Sequence, residues 1–437
     1  MTTDTIIAPS TPPGVSGLAI IRISGSACQE VLLKALNCER GESHIMKYGR
    51  FLDVRTGEML DRLNYVFMAA PKTSTGEDVL ELFPHGNPLL IKRILESVLS
   101  NKKIRMAEPG EFTRRALEHG KLDLTQAEGL LSFIHAGNEY ALKNARQVMN
   151  GALSKPLAEL KATMDSLSAQ LELDVDFVEE EDEPDYQSWK PLLENIKDRL
   201  HTLLDSWEIG KRLNYEPKVA FFGKPNAGKS SLINTLIKQD RLLVSTTPGT
   251  TRDYVEVPVN LESGRVVLVD TAGIGDSEDV LNDQVRSKTE EMLQMADFKI
   301  WVTDGTANDQ ELNNSDEFDL WVSNKSDMNG FIPGKGLSTS AVNGEGISEL
   351  LHRLNQVLLS KLSGSEDAVL VSERQYFCIK MALENLNNAL SVINQAPAVE
   401  ILAFELRQAR NELDNLLGRY SPDDTLNTIF SHFCIGK

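Results

Sequence analysis

A phosphate-binding loop is the clearest chemical motif in the sequence. Residues 223–230 read Gly-Lys-Pro-Asn-Ala-Gly-Lys-Ser. Glycines let backbone N–H groups close around phosphate oxygens, while Lys229 is placed to reach the β and γ phosphates and the hydroxyl of Ser230 to ligate Mg²⁺. The apolar run 218–222 and the helix-like stretch 231–238 predict a strand before the loop and a helix after it, which is the context this motif requires.

A second group of residues predicts which base is bound, since the loop alone does not separate ATP from GTP. Residues 324–327 read Asn-Lys-Ser-Asp, and the carboxylate of Asp327 can accept hydrogen bonds from both guanine N1–H and the exocyclic amine. Upstream, Asp270 opens an Asp-Thr-Ala-Gly segment and Thr251 follows Gly-Thr. We therefore predict a GTP site, with Mg²⁺ held by Ser230 and Thr251. The residues expected to contact the nucleotide are Asn226, Ala227, Gly228, Lys229, Ser230, Ser231, Ser245, Thr246, Thr247, Pro248, Gly249, Thr250, Thr251, Asp270, Thr271, Ala272, Gly273, Asn324, Lys325, Asp327, Ser340 and Ala341.

Composition predicts a globular protein in a reducing compartment. The chain has 437 residues, of which 41% are hydrophobic, and a net charge of −19, which argues against a general nucleic-acid binder. Its four cysteines lack CxxC spacing, so we expect neither a zinc site nor a disulfide scaffold. No secretory signal pattern and no apolar run of about 20 residues is evident, so we expect a cytoplasmic protein without a membrane segment.

Positive charge is concentrated between residues 92 and 115. Two interpretations stay open, and the sequence favours the first: a solvated helix face, or a local contact to phosphates on an otherwise acidic protein. The cations concerned are Lys92, Arg93, Lys102, Lys103, Arg105, Arg114 and Arg115.

Three kinds of sequence pattern predict the secondary-structure elements that position these residues. Residues 1–118 mix strand-like runs with one helical stretch, which indicates an α+β domain. Residues 119–212 and 368–437 have helical periodicity, with stripes such as Leu153 to Leu171 and Trp189 to Trp207. Residues 213–367 alternate strand and helix, which is typical of a parallel α/β domain. We therefore predict an α/β and α+β multidomain protein in which a Ras-like α/β domain is inserted into a helical domain.

The nucleotide motifs together resemble those of the TrmE–Era family of GTPases. The segments are GKPNAGKS, GTTRD, DTAG and NKSD. The resemblance implies a potassium ion beside the phosphates, held by Asn226, Ser245, Thr247 and Thr250. Such a cation offsets charge in the transition state. It matters here because Ile274, which follows DTAG, cannot orient water as the glutamine of many GTPases does.

The flanking segments resemble the MnmE (TrmE) family of tRNA-modification GTPases over essentially the whole chain. They include residues 75–82 (TGEDVLEL), 109–113 (PGEFT), 121–128 (KLDLTQAE) and the terminal CIGK. The resemblance implies an N-terminal domain that dimerises and binds tetrahydrofolate, as the 5-formyl or 5,10-methylene form. The folate contacts would be Arg22, Glu81, Lys121 and Lys437, with the C-terminus near the folate pocket across a dimer interface.

For activity, the resemblance implies modification of carbon 5 of the wobble uridine, position 34, of certain tRNAs. The product would be carboxymethylaminomethyluridine or aminomethyluridine. The partners would be GTP or GDP, tRNA, a second copy in a homodimer, and the flavoprotein MnmG in a heterotetramer.

Departures from the family pattern leave alternatives open. The family's catalytic glutamate falls on Asn282, so we name Asn282 and its neighbour Asp283 as candidate catalytic residues, with Glu278 as the alternative substitute carboxylate. Cys434 is either a nucleophile in tRNA chemistry or a small buried residue. Ser16 and Asn87 replace expected glycines. The alternatives to the leading function are a degenerate homologue that binds GTP with weak hydrolysis, and a nucleotide-gated RNA or ribosome assembly factor.

Overall fold

The structure is a computed structural model that describes twelve stretches of the chain. These are residues 4–39, 42–176, 186–213, 215–239, 255–261, 264–271, 292–305, 318–334, 336–361, 368–394, 399–419 and 423–437. They form two units: Met1–Ile134, Ala145–Asp205 and Ser372–Lys437 make the first, and His135–Asn144 with Ser206–Val371 make the second. The predicted fold class is confirmed, because the N-terminal part is α+β, helices follow, and a parallel α/β unit interrupts them. The domain boundaries inferred from the sequence patterns stay a prediction.

The first unit contains a six-stranded sheet with order β3-β4-β5-β2-β1-β6. All neighbouring strands are antiparallel except β1 and β6. Its strands are β1 Thr5–Pro9, β2 Ile21–Ser24, β3 Ile45–Leu52, β4 Met59–Met68, β5 Val79–Phe83 and β6 Ile104–Met106. Alternate residues of β1 pack on opposite faces of the sheet. Ile7 belongs to the cluster that includes residues of α1 and α2, and Ile6 belongs to the cluster that includes Phe112.

The helices of the described chain follow the predicted periodicity closely. They are α1 Cys28–Leu36, α2 Pro88–Leu99, α3 Glu111–Glu118, α4 Leu124–His135, α5 Glu139–Met149, α6 Ser154–Asp176, α7 Tyr186–Asp205, α8 Trp207–Leu213, α9 Lys229–Gln239, α10 Ile347–Lys361, α11 Glu373–Asn394, α12 Val399–Leu417 and α13 Asp423–Ser431. In the first unit α12 packs on α6 and α11 on α7. The stripe from Leu153 to Leu171 is fully buried, as predicted. The second predicted stripe is interrupted, because α7 ends at Asp205 and Trp207 begins a separate helix.

The second unit is built on a sheet with order β12-β11-β10-β7-β9-β8. Its strands are β7 Lys218–Phe222, β8 Val255–Leu261, β9 Gly264–Asp270, β10 Phe298–Thr303, β11 Leu320–Ser323 and β12 Leu337–Ser338. Only the pair β8 and β9 is antiparallel among the pairings described. Val219 and Phe221 of β7 pack on one face and Ala220 and Phe222 on the other. That double burial explains the continuous apolar run before the phosphate-binding loop.

Candidate functional site

The phosphate-binding loop joins β7 to α9 in the middle of the second sheet. Val219, Ala220 and Phe221 are fully buried, so the strand fixes where the loop begins. Close packing explains the glycine at position 228, since a Cβ there would lie 2.3 Å from the Asn324 side-chain nitrogen. Asn226 adopts a left-handed backbone conformation, with φ 64°. The loop is therefore shaped by its contacts with the rest of the sheet edge and not only by its own sequence.

Lys229 is held at the centre of this loop. Its Nζ donates hydrogen bonds to the carbonyl oxygens of Gly223 at 2.8 Å and Lys224 at 2.9 Å. The residue is 5% exposed, so the ammonium is oriented by the loop carbonyls, in a position from which phosphate oxygens can replace them. Ser230 and Ser231 follow in the first turn of α9, whose N-terminus favours an anion.

Asn324 connects three parts of the nucleotide site. Its Nδ2 donates to the Ala227 carbonyl at 3.1 Å, and its Oδ1 accepts from Thr339 Oγ1 and from the Ala341 N–H, each at 3.3 Å. The side chain is 1% exposed. A buried amide with these partners locks the base-binding loop to the phosphate-binding loop.

The carboxylate of Asp327 is also held in one orientation, by a hydrogen bond within the protein. Its Oδ1 accepts a hydrogen bond from Ser340 Oγ at 2.5 Å, and Ser340 Oγ accepts in turn from the Asn343 N–H at 3.3 Å. Lys325 has φ 65°, and its Nζ lies 3.8 Å from Asp304 Oδ2. The loops after β11 and β12 thus present the predicted guanine-reading residues at one edge of the sheet.

Asp270 lies at the same edge, because β7 and β9 are parallel neighbours. It is the last residue of β9 and is in register with Phe221. Thr271 Oγ1 donates to the Phe221 carbonyl at 2.5 Å. The Asp270 carboxylate and the Ser230 hydroxyl are hard oxygen donors of the kind that suits Mg²⁺. Several predicted site residues lie outside the described residues: Ser245, Thr246, Thr247, Pro248, Gly249, Thr250, Thr251, Ala272, Gly273, Asn282 and Asp283.

A second group, which we call the Arg22 site, consists of Arg22, Glu81 and Gly436. Arg22 and Glu81 are in register on neighbouring strands β2 and β5, and Arg22 Nε donates to Glu81 Oε1 at 2.8 Å. Arg22 Nη1 lies 3.4 Å from the Gly436 carbonyl, and its guanidinium carbon is 5.8 Å from the centre of the Phe112 ring. Phe112 is 3% exposed and lies under the guanidinium, so the polar surface of this group is formed by Arg22 and Glu81, whose side chains are 22% and 18% exposed.

The C-terminus reaches this site within a single chain. Ser10 Oγ donates to the Gly436 carbonyl at 3.1 Å. Gly436 has φ 94°, and a Cβ there would lie 2.3 Å from the Pro9 carbonyl oxygen. These contacts between the C-terminus and the Arg22 site are made within one chain, and a contact across a dimer interface stays a prediction. Cys434 is exposed, which contradicts its interpretation as a small buried residue.

Lys121 and Lys437 have contacts of a different kind. Lys121 Nζ donates to the Pro71 carbonyl, beside the loop that contains Gly76. The backbone N–H of Lys437 donates to the Cys434 carbonyl at 3.2 Å. No contact among the described residues joins either lysine side chain to Arg22.

Phe112 and Ser10 were not predicted as site residues. Phe112 belongs to a segment that carries the family resemblance, while Ser10 had no distinguishing signal in the sequence.

Asn87 and Ser16, which replace the expected glycines, have local structural roles. Asn87 accepts hydrogen bonds from the N–H groups of Leu89 and Leu90 at the start of α2, as an N-cap does. Ser16 pairs with Gly86 in an isolated bridge, and its hydroxyl donates to the Leu18 carbonyl at 2.7 Å. Both replacements are thus accommodated by the fold.

The cation-rich segment between residues 92 and 115 is largely neutralised by carboxylates. Arg115 is 2% exposed and bonds to Asp4, Glu77 and Glu111. The remaining pairs are Arg93 with Glu58, Lys103 with Glu30, Arg105 with Asp4 and Glu111, Arg114 with Glu118 and Asp423, and the longer contact of Lys92 with Glu96. Cations already paired in this way are poor candidates for phosphate contacts, which argues against the phosphate interpretation. The buried Arg115 does not fit the solvated helix face either.

Metal clusters and membrane helices are both missing from the part of the chain that the structure describes. The described residues contain no group of three or more histidine, cysteine, aspartate or glutamate residues arranged to hold a metal ion. Nor do they include a helix with both the length and the apolar character needed to cross a membrane.

The phosphate-binding loop, Asp270 and the Asn324–Asp327 loop at one edge of a parallel sheet define a P-loop protein of the guanine-nucleotide-binding class. Comparison with known sequences narrows the class. Residues 124–434 match the family model "MnmE helical domain", and residues 5–121 match "GTP-binding protein TrmE N-terminus". The chain belongs to the MnmE family.

Curated relatives match over nearly their whole length. The chain is 34% identical over 464 residues to the "tRNA modification GTPase MnmE" of Moorella thermoacetica, covering 100% of both chains. The protein of that name from Carboxydothermus hydrogenoformans is 34% identical over 466 residues, again with 100% of both chains covered. The one from Chlorobaculum tepidum is 35% identical over 465 residues, covering 99% of this chain and 97% of the relative.

Proposed function

We propose that this chain hydrolyses GTP and acts in the modification of carbon 5 of uridine 34 in certain tRNAs. The observation that carries the proposal is the buried Asn324, which ties the Asp327 loop to the phosphate-binding loop at the edge where Asp270 ends β9. Relatives that match over their full length are named tRNA modification GTPases. The proposed products are carboxymethylaminomethyluridine and aminomethyluridine.

In this proposal, Mg²⁺ is held by Ser230 and Thr251. Potassium is held by Asn226 together with Ser245, Thr247 and Thr250. A bound metal ion neutralises charge on the phosphates, while Lys229 positions them and Asp327 selects guanine. The pre-oriented Lys229 ammonium and Asp327 carboxylate support these roles, since neither side chain needs a large rearrangement to bind.

Asn282, or the neighbouring carboxylate of Asp283, is proposed to orient the attacking water. An amide can hydrogen-bond water but carries no charge, so we expect slow intrinsic hydrolysis. Asn282→Glu should raise the single-turnover rate of GTP hydrolysis, by about 100-fold if it restores one general-base interaction. A lower rate in this variant would mean that another carboxylate already has the role.

The Arg22 site is proposed to bind the one-carbon donor, a 5-formyl or 5,10-methylene tetrahydrofolate. Arg22 and Glu81 would contact the pterin, and Lys121 and Lys437 the anionic part of the folate. The exposed thiol of Cys434 is proposed as a nucleophile in the tRNA chemistry. A homodimer and the flavoprotein MnmG complete the proposed complex.

Mass spectrometry of wobble uridines tests this function directly. In tRNA from a strain that lacks the protein, we expect the carbon-5 modifications at position 34 to be absent. The wild-type gene should restore them, and the Asp327→Asn variant should not. If the modifications are unchanged in the deletion strain, the proposed function is wrong.

A further inference from the structure

The first unit contains a cavity that shares only Lys121 with the proposed folate contacts and no residue with the nucleotide site. It has a volume of about 650 Å³ and is walled by the turns that follow α3, α5 and α12, so we call it the three-turn cavity. Its lining includes Gly120, Gly151 and Gly418, one from each turn. Neither Arg22 nor Glu81 lines it. Its volume is within the range of roughly 300–1,000 Å³ found for small-molecule pockets.

Cations outnumber carboxylates on the cavity wall, with Lys121, Lys155 and Arg419 against Glu118 and Asp123. Glu118 accepts a hydrogen bond from Arg114 at 3.2 Å. Asp123 Oδ1 accepts from neutral donors, Thr125 Oγ1 at 2.6 Å and the Gln126 N–H at 3.0 Å, which do not neutralise its charge. The lining cations Lys155 and Arg419 differ, because neither side chain has a hydrogen bond or ion pair with any residue that the structure describes.

Most of the cations between residues 92 and 115 have carboxylate partners. Lys155 and Arg419 belong instead to the cations without a partner among the described residues, as the exposed Lys102 and Arg62 do, and differ from those two in lining one cavity. Two cations that face one cavity without a carboxylate partner create a local positive potential. Lys121, whose ammonium bonds to the Pro71 carbonyl, adds a third positive charge to the wall.

The rest of the wall suits an organic group attached to the anion. Leu117, Leu122, Leu417 and Leu426 line the cavity and offer an apolar surface beside the cations. Arginine presents paired N–H donors that match two phosphate oxygens, and lysine adds a point charge. We propose that the three-turn cavity binds a nucleotide through its phosphate, held by Lys155 and Arg419, with the sugar or base against the leucines.

Two sources supply such a ligand: a nucleotide unit within an RNA strand, and a free mononucleotide. The RNA source rests on the proposed function in tRNA modification. The free-nucleotide source does not. Since the phosphate-binding loop is in the other unit of the chain, GTP hydrolysis separates a failure of this site from a failure of the proposed function.

The test compares Lys155→Gln/Arg419→Gln with the charge-matched control Lys102→Gln/Arg62→Gln. All four side chains are exposed, so both variants should fold, which circular dichroism and thermal melting would verify. Binding of unfractionated tRNA and of uridine monophosphate is measured on the full chain, with GTP hydrolysis as a reference that should not change in either variant.

We expect the cavity variant to bind at least one of the two ligands tenfold more weakly or worse, while the control matches the wild type. A loss for tRNA identifies the RNA source, and the slope of log affinity against log salt should then fall by roughly 1 to 2. A loss confined to uridine monophosphate identifies the free-nucleotide source. Unchanged binding of both ligands, or equal losses in the control, would overturn the proposal.

Discussion

The nucleotide site and the Arg22 site are held in place by different means. Each part of the nucleotide site follows or ends a strand of one parallel sheet, so the sheet itself fixes the phosphate-binding loop, Asp270 and the loops after β11 and β12. The Arg22 site needs the C-terminal segment, which packs through Phe430 and Phe433 and brings together Arg22 and Gly436, 414 positions apart. We infer that the nucleotide site tolerates changes elsewhere, whereas the Arg22 site can be lost without disturbing the fold.

The largest effect is expected from Asp327→Asn. The variant replaces a carboxylate that accepts two guanine hydrogen bonds by an amide, which should reduce GTP affinity by about 100-fold or more. Affinity for xanthosine triphosphate should rise, because that base offers an acceptor where guanine has a donor. Fluorescence titration of both nucleotides checks this, and wild-type GTP affinity in the variant would show that the loop does not read the base.

Gly436→Ala should break the Arg22 site selectively. The added Cβ would meet the Pro9 carbonyl, and the left-handed backbone at this position disfavours alanine. We expect affinity for 5-formyl-tetrahydrofolate to fall by about tenfold, a cost typical of local strain. Gly57→Ala is the control, because Gly57 also has a positive φ but a Cβ added there would have no neighbour within 4 Å. If both variants bind folate as the wild type does, the C-terminus is not part of the site.

How far the sequence predicts each site follows from the same difference. The strand, loop and helix around Lys229 were predictable because the apolar run, the glycines and the amphipathic stretch are contiguous. The docking of Gly436 beside Ser10 was not, since only the complete fold brings residues so distant in sequence together. The same limit applies to the segment of cations: the carboxylates that neutralise Arg115 are at positions 4, 77 and 111.

A smaller effect on GTP hydrolysis is expected when sodium replaces potassium as the monovalent cation. If Asn226 helps to hold potassium beside the phosphates, hydrolysis should be about tenfold faster in KCl than in NaCl of equal ionic strength. Asn226→Ala should remove the difference without abolishing nucleotide binding. Equal rates of the wild type in the two salts would contradict the potassium site.

The smallest effect concerns the stability of the first unit in acid. Hydrogen bonds from the side chain and backbone of Arg55 lower the pKa of the Asp53 carboxyl to about 2. A carboxyl whose pKa is lowered in the folded state stabilises the protein at pH values above its ordinary pKa of 3.8. That stabilisation is lost as the pH falls through about 2. Asp53→Asn should therefore lower the free energy of unfolding by about 1 kcal/mol at pH 7, since Arg55 is partly exposed.

Urea denaturation of the wild type and Asp53→Asn between pH 7 and pH 2 checks this prediction. The difference between the two proteins should shrink below pH 4. A difference that is constant over the whole range would mean that the carboxylate charge of Asp53 does not contribute.

The most direct test of the central comparison measures GTP hydrolysis and 5-formyl-tetrahydrofolate binding on the same two variants. Independent sites predict a crossed result: Asp327→Asn loses GTP hydrolysis and binds folate as the wild type does, while Gly436→Ala hydrolyses GTP normally and binds folate weakly. If either correctly folded variant loses both activities, the two sites are not held independently and the comparison is contradicted.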